Sequence, residues 1–506
     1  MLFRRPSSDI REDMRISRTI SLFFVWHFPG ELMTRASLLT LFCLMALTPL
    51  PANAVLAGPP VVMKKSQVRD LAAIRSSKVL RVLVNQSRNS WGEVQGEDIG
   101  VEYHRLKAFE QYLNDHVRDG QRITLKMIPR PKDQLLIALQ RGEGDLVAPG
   151  ELLDTTGSHD IDASDPIMSH VPLVVVGAKG ERSFKRIDQL SGRTLMLSNG
   201  SAADEAVHQL NQKLALHKLP PVKIEWVDPS LAVEDVLEMV QAGIFHLTVV
   251  ELPIAERWAR VMPKLRVDKA LTLSSNRDMN WYVRQDASML RASIDRFLAT
   301  YRPPANQDAA FQRVYQKLYK VHSPLAQEDR KRLEKLRPIL QRHADEQGMD
   351  WLNLAALAFK ESALEPASKG SGGPTGLLQI TPSAAQRVGV SNIQSVDNNV
   401  QAGAKYLAML RRKFFASPRV NERERMAFTL AAYNLGPERV QSMRAEAKRR
   451  GLNPNQWFFQ VERVAMEQAG MGVVSYVNSV NKYYLAYDRE RGSLETPTQR
   501  KVAIRK

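Results

Sequence analysis

The residue pattern of this chain changes its period once, near Pro324, and this change limits what the chain can fold into. From Leu80 to Arg302, short β-branched runs alternate with amphipathic stretches of helical length. Strands interleaved with helices predict parallel βαβ units with helices on both faces of a sheet. The alternation restarts at Thr194, which predicts two lobes with a cleft between them, a usual place for a small ligand. Beyond Pro324 only helical patterns follow, and these predict an all-α domain.

A short apolar run near the N-terminus predicts export. Met33-Thr34-Arg35 is followed by an apolar stretch over residues 36–50 and then by Ala52-Asn53-Ala54. This order is typical of a signal peptide over residues 33–54, cleaved after Ala54. A membrane anchor is the alternative, but the run is shorter than the ~20 residues that a spanning helix needs. The only cysteine, Cys43, lies in this segment, so we expect a mature protein without disulfides, thiolate metal sites or a cysteine nucleophile.

The charge of the chain is basic and uneven. The formal net charge is +17, and residues 321–506 hold 29 Lys or Arg against 18 Asp or Glu. Nucleic-acid binding is the first interpretation of such a chain, but export to the cell envelope argues against it. A basic C-terminal third fits an anionic envelope partner such as peptidoglycan or a lipid surface. Solubility alone explains the charge equally well.

One carboxylate stands out in the all-α region. Leu354, Leu357 and Ala358 precede Glu361 by seven, four and three residues, so Glu361 continues an apolar helical stripe. A carboxylate there loses hydration, which raises its pKa and suits a proton donor near neutral pH. The alternative is a helix-end carboxylate paired with a lysine.

Four short segments follow one another in this region: Glu361-Ser362, Gly376-Leu377-Leu378-Gln379, Ala432-Tyr433-Asn434 and Tyr476-Val477. In this order they resemble the four signatures of the soluble lytic transglycosylase domain, over about residues 330–488. The resemblance implies that Glu361 is the catalytic residue. It also implies a set of side chains that hold sugars or orient Glu361, namely Ser362, Gln379, Tyr433, Asn434 and Tyr476. Core packing is the alternative role for the aromatic side chains.

The resemblance also implies a mechanism that needs one carboxylate. A glycoside hydrolase uses a second Asp or Glu, and no motif here supplies one. In lytic transglycosylases one Glu protonates the leaving oxygen and then acts as base toward the hydroxymethyl group of the muramic acid itself. Because the sequence has no HExxH motif and no paired-cysteine spacing, we expect no metal. The glycine-rich segment at 370–376 is neither a Walker loop nor a dinucleotide fingerprint, so we expect no cofactor.

Residues 80–302 resemble the family 3 bacterial solute-binding fold through "LRVLV", "ALQRGEGDLVAPGELLDTT" and "IDQLSGRTLMLSNGS". Members that bind amino acids use an Arg from the first lobe for the carboxylate and an acidic group from the second for the ammonium. Glu251 matches the acidic position, but no Arg or Lys occurs between Arg141 and Lys179. A free amino acid would therefore lack its usual carboxylate partner. We expect a cell-wall peptide or muropeptide ligand, with its ammonium on Glu251.

The predicted fold is a two-lobed α/β domain, like the periplasmic binding proteins, followed by an all-α, lysozyme-like transglycosylase domain. The combination resembles the membrane-bound lytic transglycosylase F family. The expected boundaries are an upstream, unstructured extension at 1–32, a signal peptide at 33–54, a linker at 55–79, the solute-binding domain at 80–305, a connecting helix and linker at 306–324, the catalytic domain at 325–490 and a basic tail at 491–506.

The sequence thus predicts a peptidoglycan lytic transglycosylase that carries a ligand-sensing domain. It would cleave the β-1,4 bond between MurNAc and GlcNAc, leave 1,6-anhydro-MurNAc ends and fall in the class of lyases that act on polysaccharides. The expected location is the periplasm, with peripheral association with the outer membrane. Two alternatives stay open: a solute sensor with an inactive transglycosylase-like domain, and a muramidase that hydrolyses the same bond.

Overall fold

The computed structural model describes residues 69–85, 87–94, 97–318, 323–370 and 373–495. The predicted upstream extension at 1–32 and the signal peptide at 33–54 lie outside these residues. Within the described part of the chain, no helix combines the length and the apolar character that crossing a membrane requires.

The α/β part contains two five-stranded sheets, one in each lobe. The elements are α1 (Leu71–Ser77), β1 (Val79–Asn85), β2 (Gly92–Val94), β3 (Glu97–Ile99), α2 (Val101–Leu113), β4 (Thr124–Arg130), α3 (Leu135–Gln140), β5 (Leu146–Val147), β6 (Ile161–Ala163), β7 (Leu173–Ala178), β8 (Thr194–Leu197), α4 (Ala203–Leu216), β9 (Lys223–Trp226), α5 (Val233–Gln241), β10 (Leu247–Glu251), α6 (Leu252–Ala259), β11 (Leu265–Ser274), β12 (Tyr282–Arg284) and α7 (Ser288–Thr300). The strand order is β4-β1-β5-β12-β6 in the first sheet and β11-β7-β10-β8-β9 in the second.

The two predicted lobes are confirmed, but the sheets are mixed and not wholly parallel. β1 pairs in parallel with β4 and β5, whereas β12 runs antiparallel to β5 and β6. In the second sheet, β7 runs antiparallel to β10 and β11. The reason is that the chain crosses between the lobes twice, after β6 and after β11. The strand that follows each crossing, β7 or β12, therefore runs in the direction opposite to its neighbours in the sheet. The crossings pair with each other, since Ile167 N donates to Met279 O at 2.8 Å.

Part of the predicted linker at 55–79 is a helix in the structure. Asp70 caps α1, with its side chain accepting from Leu71 N, and it also accepts from Leu290 N at the start of α7. Leu71 and Ile74 are buried in the core of the first lobe. A capped, amphipathic turn that buries two aliphatic side chains explains why this segment is ordered.

The remainder of the described chain is helical, as predicted. The elements are α8 (Gln307–Leu318), α9 (Gln327–Glu346), α10 (Trp351–Ser362), α11 (Pro382–Arg387), α12 (Val396–Phe414), α13 (Glu422–Leu435), α14 (Pro437–Arg449), a π-helical turn (Trp457–Val461), α15 (Glu462–Ala469), α16 (Met471–Arg489) and α17 (Arg491–Leu494). The sequence did not predict α11, α14 and α15. The short α17 falls at the start of the predicted basic tail, and its Arg491 pairs with Asp350.

α10 lies at the centre of the helical domain. It packs against α9 and along α16. Leu354, Leu357 and Ala358 are fully buried, which confirms the apolar stripe that the sequence predicts. On the neighbouring α12, Gly403 lets Leu378 approach closely, because a Cβ at this glycine would lie 2.3 Å from the Leu378 side chain. The 376–379 segment thereby packs closely against α12.

The helical domain contacts the second lobe through α16. Lys482 is 7% exposed, and its ammonium lies 2.9 Å from a carboxylate oxygen of Asp235 and 2.6 Å from one of Glu238, both on α5. Asn481 donates to the Ser230 hydroxyl at 2.9 Å. Arg489, at the end of α16, donates to Ile244 O. Buried charge pairs of this kind fix the register of the contact more than they add stability.

Candidate functional site

Glu361 lies at the C-terminal end of α10, where the helix is made to stop. Asp350 caps the start of the helix by accepting from Leu352 N at 3.0 Å. At the other end, Ala363 and Leu364 adopt positive φ angles of 52° and 62°, which terminates the helix directly after Ser362. The Glu361 side chain is therefore presented at the edge of a buried helix, half-buried and not in open solvent.

The surroundings of Glu361 favour its protonated form. Burial raises the pKa of this carboxyl, while the hydrogen bond from Tyr476 and the charge of Lys360 act in the opposite direction. The Tyr476 hydroxyl donates to Glu361 Oε1 at 2.5 Å from the first half of α16. The Lys360 ammonium lies 5.9 Å from the centre of the Tyr476 ring. The site therefore contains a carboxyl with a raised pKa and a fixed hydrogen-bond donor.

The 376–379 segment is attached to the end of α10 through its backbone. The Ser362 hydroxyl donates to Leu377 O at 2.8 Å, and the Tyr433 hydroxyl donates to Leu378 O at 2.8 Å. Asn399 accepts from Leu378 N at 2.9 Å. Three side chains from α10, α12 and α13 thus fix two consecutive peptide groups beside the catalytic candidate.

The other predicted residues differ in where they lie. Gln379 has a φ of 44°, and its amide donates to Gly376 O at 2.8 Å and Ser368 O at 3.1 Å, so it closes its own turn. Asn434 is exposed at the end of α13. Among the predicted side chains, Tyr476 is therefore the one that hydrogen-bonds Glu361 directly, and Ser362, Tyr433 and Gln379 hold the adjacent segment.

Asn399 is a site residue that the sequence reasoning missed. It is 1% exposed and also donates to Thr375 O at 2.9 Å and Ile393 O at 3.1 Å. A signal was present, because Asn399 lies four residues before Gly403 and eight before Leu407, on the buried face of α12. A polar side chain on an apolar helical face needs hydrogen-bond partners, and here they are backbone groups of the site.

No second carboxylate among the described residues shifts the pKa of Glu361. Among the described residues, the groups that shift its pKa are Tyr476 and Lys360. Glu365 is exposed, and Asp397 is paired with His343 and Arg342. The residues that the structure describes also contain no group of three or more His, Cys, Asp or Glu side chains that could hold a metal ion.

Glu251 lies at the end of β10, between the two lobes. It is 2% exposed, and its Oε1 accepts from Leu152 N at 2.7 Å. Lys132 and Glu151 are close enough for their charges to act on it: Lys132 lowers its pKa and Glu151 raises it. Burial is the largest influence, and the net effect is a pKa above that of an ordinary carboxyl. Glu251 thus faces a cation supplied by the chain itself.

That cation is the second residue that the sequence reasoning missed. Lys132 follows β4 and forms an ion pair with Glu151, whose side chain is fully buried. The segment between Arg141 and Lys179 holds no Arg or Lys, so the positive charge of the cleft comes from an earlier loop. In the sequence, Lys132 was one of many lysines, with nothing local to connect it with Glu151 or Glu251.

The lobes are closed on each other at this point. Asp154 N donates to Gly200 O at 2.9 Å, and Leu153 and Ser201 form an antiparallel bridge. Gly200 lies directly over Asp133, since a Cβ at this glycine would be 2.7 Å from Asp133 Cα. The cavity that remains beside Lys132 and Glu151 has a volume of about 20 Å³. This space is near the size of one water molecule.

Known proteins resemble this chain over part or most of its length. Residues 338–455 match the family model described as the transglycosylase SLT domain. A membrane-bound lytic murein transglycosylase F of Desulfosudis oleivorans is 27% identical over 406 residues, which cover 78% of this chain and 83% of that protein. One of Pseudomonas putida is 27% identical over 446 residues, which cover 82% of this chain and 86% of its own length.

Among solved structures, an ancestral arginine-binding protein bound to arginine aligns with 48% of this chain and 98% of its own, at a TM-score of 0.37 and 20% identity. Residues 338–455 are therefore similar to the transglycosylase SLT domain, and the chain is similar, over most of its length, to the membrane-bound lytic murein transglycosylases F.

Proposed function

We propose that this chain is a peptidoglycan lytic transglycosylase that cleaves the β-1,4 bond between MurNAc and GlcNAc and leaves 1,6-anhydro-MurNAc ends. One observation carries the proposal: Glu361 is a half-buried carboxyl with a raised pKa, it accepts from Tyr476, and no described carboxylate acts on it. The similar proteins are named membrane-bound lytic murein transglycosylase F, which supports the same activity.

The chemistry follows from a single group that gives and then takes a proton. Protonated Glu361 donates its proton to the glycosidic oxygen as the bond from that oxygen to C1 of MurNAc breaks. The resulting carboxylate then takes the proton of the C6 hydroxyl of the same sugar, and that oxygen bonds to C1. The nucleophile is already part of the substrate, so no second carboxylate is needed to hold a water. Tyr476 keeps the carboxyl oriented through both steps.

The rim of this site would bind the glycan strand. Gln379 and Asn434 are the proposed sugar contacts, since Asn434 is exposed and Gln379 is half-buried. Ser362 and Tyr433 act indirectly, because their hydroxyls are used to hold the backbone at Leu377 and Leu378. Their proposed role is to fix the wall on which sugars lie.

The N-terminal domain is proposed to sense a cell-wall peptide or muropeptide in the periplasm, with peripheral association with the outer membrane. The position of Glu251 between the lobes supports a ligand site there. A ligand has to open the lobes to reach Glu251, since the cavity beside Lys132 and Glu151 has a volume of about 20 Å³. A long peptide suits this better than a small amino acid, because it can make additional contacts outside the cleft.

Digestion of purified sacculi tests the activity. The full chain is expected to release muropeptides with 1,6-anhydro ends, and Glu361→Gln, which cannot exchange the proton, should lower the rate ~100-fold or more. Glu365→Gln is the matched control, because that carboxylate is exposed on the loop after α10, and it should keep near-normal turnover. Reducing ends would instead show a muramidase, and no soluble product would show an inactive domain.

Calorimetric titration tests the ligand. The Glu361→Gln full chain, which does not consume the ligand, is titrated with free amino acids and with muropeptides. Binding of muropeptides is expected. Tight binding of one free amino acid, with none of muropeptides, would contradict the proposal and point to an ordinary solute sensor.

A further inference from the structure

The closed cleft contains two buried carboxylates and one buried ammonium. Glu151 and Glu251 are 1% and 2% exposed, and the Lys132 side chain is 10% exposed. Glu151 Oε1 accepts from the Asn85 amide at 3.0 Å, and its other oxygen pairs with Lys132. Glu251 comes from the second lobe, while Lys132 and Asn85 come from the first. The ammonium therefore lies where the lobes meet.

Two carboxylates in such a place need a cation. Moving an unpaired carboxylate out of water is costly, and two of the same sign raise each other's cost. Lys132 provides the compensation for both, since its charge acts on Glu151 and Glu251 together. Their charges in turn outweigh the effect of burial and raise the pKa of Lys132. In the closed state the two carboxylates thus surround a position for an ammonium group, and the ammonium of Lys132 occupies it.

We propose that Glu151 and Glu251 form an ammonium-binding site that Lys132 occupies as a built-in ligand in the closed state. A molecule that brings its own ammonium into the cleft competes with Lys132 for the same two carboxylates. Lys132 is suited to leave, because its charge sits at the end of four methylene groups beyond the end of β4, outside the sheet. Its role is to set which amines the cleft accepts.

This inference deepens the proposed ligand role of Glu251. It adds Lys132 and Glu151, and it names the competitor that a ligand must displace. A small primary amine without further contacts should fail in the wild-type chain, because the tethered ammonium is present at high effective concentration. If Lys132 is shortened, the same amine should bind.

The experiment uses the full chain with Lys132→Ala and propylammonium, which replaces the atoms from Cγ to Nζ. Thermal unfolding at neutral pH is followed with and without the amine. Lys132→Ala should lower the unfolding midpoint by about 5 °C or more, and propylammonium should restore at least half of that loss with saturation. Lys213→Ala is the matched control on the exposed face of α4, and neither it nor the wild-type chain should respond.

Two further probes separate charge from bulk. 1-Propanol has the same length without the charge and should not stabilise Lys132→Ala, and sodium chloride at equal ionic strength should not either. Equal effects of propanol and propylammonium, or an equal response of Lys213→Ala, would overturn the proposal. If Lys132→Ala does not fold by itself, the double variant Lys132→Ala with Glu151→Gln is used, which keeps Glu251 as the one carboxylate of the site. Failure of propylammonium to stabilise the double variant would also overturn the proposal.

These measurements do not involve peptidoglycan. If propylammonium stabilises Lys132→Ala but the wild-type chain has no transglycosylase activity, the ammonium site is supported and only the proposed function is rejected. Conversely, anhydro products from a chain that shows no amine rescue would support the activity and reject this site.

Discussion

Tyr476→Phe removes one hydrogen bond from the catalytic carboxyl and leaves the ring in place. The Tyr476 hydroxyl donates to Glu361 Oε1, which stabilises the charged carboxylate and so lowers its pKa. Hydrogen bonds to charged groups contribute about 1.5–3 kcal/mol, and the lower end applies here because Glu361 is half-buried. With 1.36 kcal/mol for each pH unit, the pKa of Glu361 should rise by about one unit in the variant.

The sign of the effect on activity follows from the first step of the reaction. Protonated Glu361 is the active form of the free enzyme, so kcat/KM falls as the pH rises through its pKa. In Tyr476→Phe this fall should occur about one pH unit higher than in the wild-type chain. The assay is the pH dependence of kcat/KM for release of anhydro-muropeptides from sacculi.

Tyr433→Phe is the matched control. Its hydroxyl donates to Leu378 O and not to Glu361, so its loss should lower turnover while the alkaline fall stays in place. An unchanged midpoint in Tyr476→Phe, a shift to lower pH, or an equal shift in both variants would refute the reasoning about Glu361.

Two predictions concern the stability of the structure around the site. Lys482→Met removes the ammonium that pairs with the half-buried Asp235 and the buried Glu238 of α5, and it should lower the free energy of unfolding in denaturant by about 3–5 kcal/mol. Lys335→Met, on the exposed face of α9, should change it by less than about 0.5 kcal/mol, and similar losses would contradict the role of the pair. Gly376→Ala should lower the free energy of unfolding by more than the about 1–2 kcal/mol that an alanine costs in a left-handed backbone conformation. The reason is that its Cβ would lie 2.3 Å from Asn399 Nδ2. Gly389→Ala has a similar φ of 69° but open space around it, so an equal loss there would show that Asn399 simply moves aside.

The fold class could be predicted because strands and helices leave different periods in the sequence. The β7 strand, for example, is a continuous apolar run and is buried along its whole length. The direction of the strands could not be predicted, since it depends on where the chain crosses between lobes. α14 was missed because Val440, Met443 and Ala447 are its sparse apolar positions in an otherwise charged segment. Pro437 at its first turn was the available signal.

The site was predictable where chemistry and position coincide in one short segment. Glu361 continues an apolar stripe, and the stripe alone implies a carboxylate with a raised pKa. Lys132 was not predictable in this way, and the only signal for Asn399 was its place on a buried helical face, because the fold determines the partners of both residues. Glu151 lies 19 residues after Lys132, and Glu251 lies in the other lobe. In such cases the role of a lysine or an asparagine depends on contacts with distant segments, which only the fold brings together.

The same helix serves both the catalytic residue and the contact with the solute-binding lobe. Tyr476 holds Glu361 from the first half of α16, and Lys482 enters the second lobe six residues later, about 9 Å along the axis. α5, which receives Lys482, begins at Val233, and this residue lines the cavity between the lobes. α16 is a continuous helix packed along α10, so the Lys482 pairs and the hydrogen bond from Tyr476 to Glu361 depend on the same element. One helix therefore connects the residue that contacts the catalytic carboxyl with the residue that pairs with the second lobe.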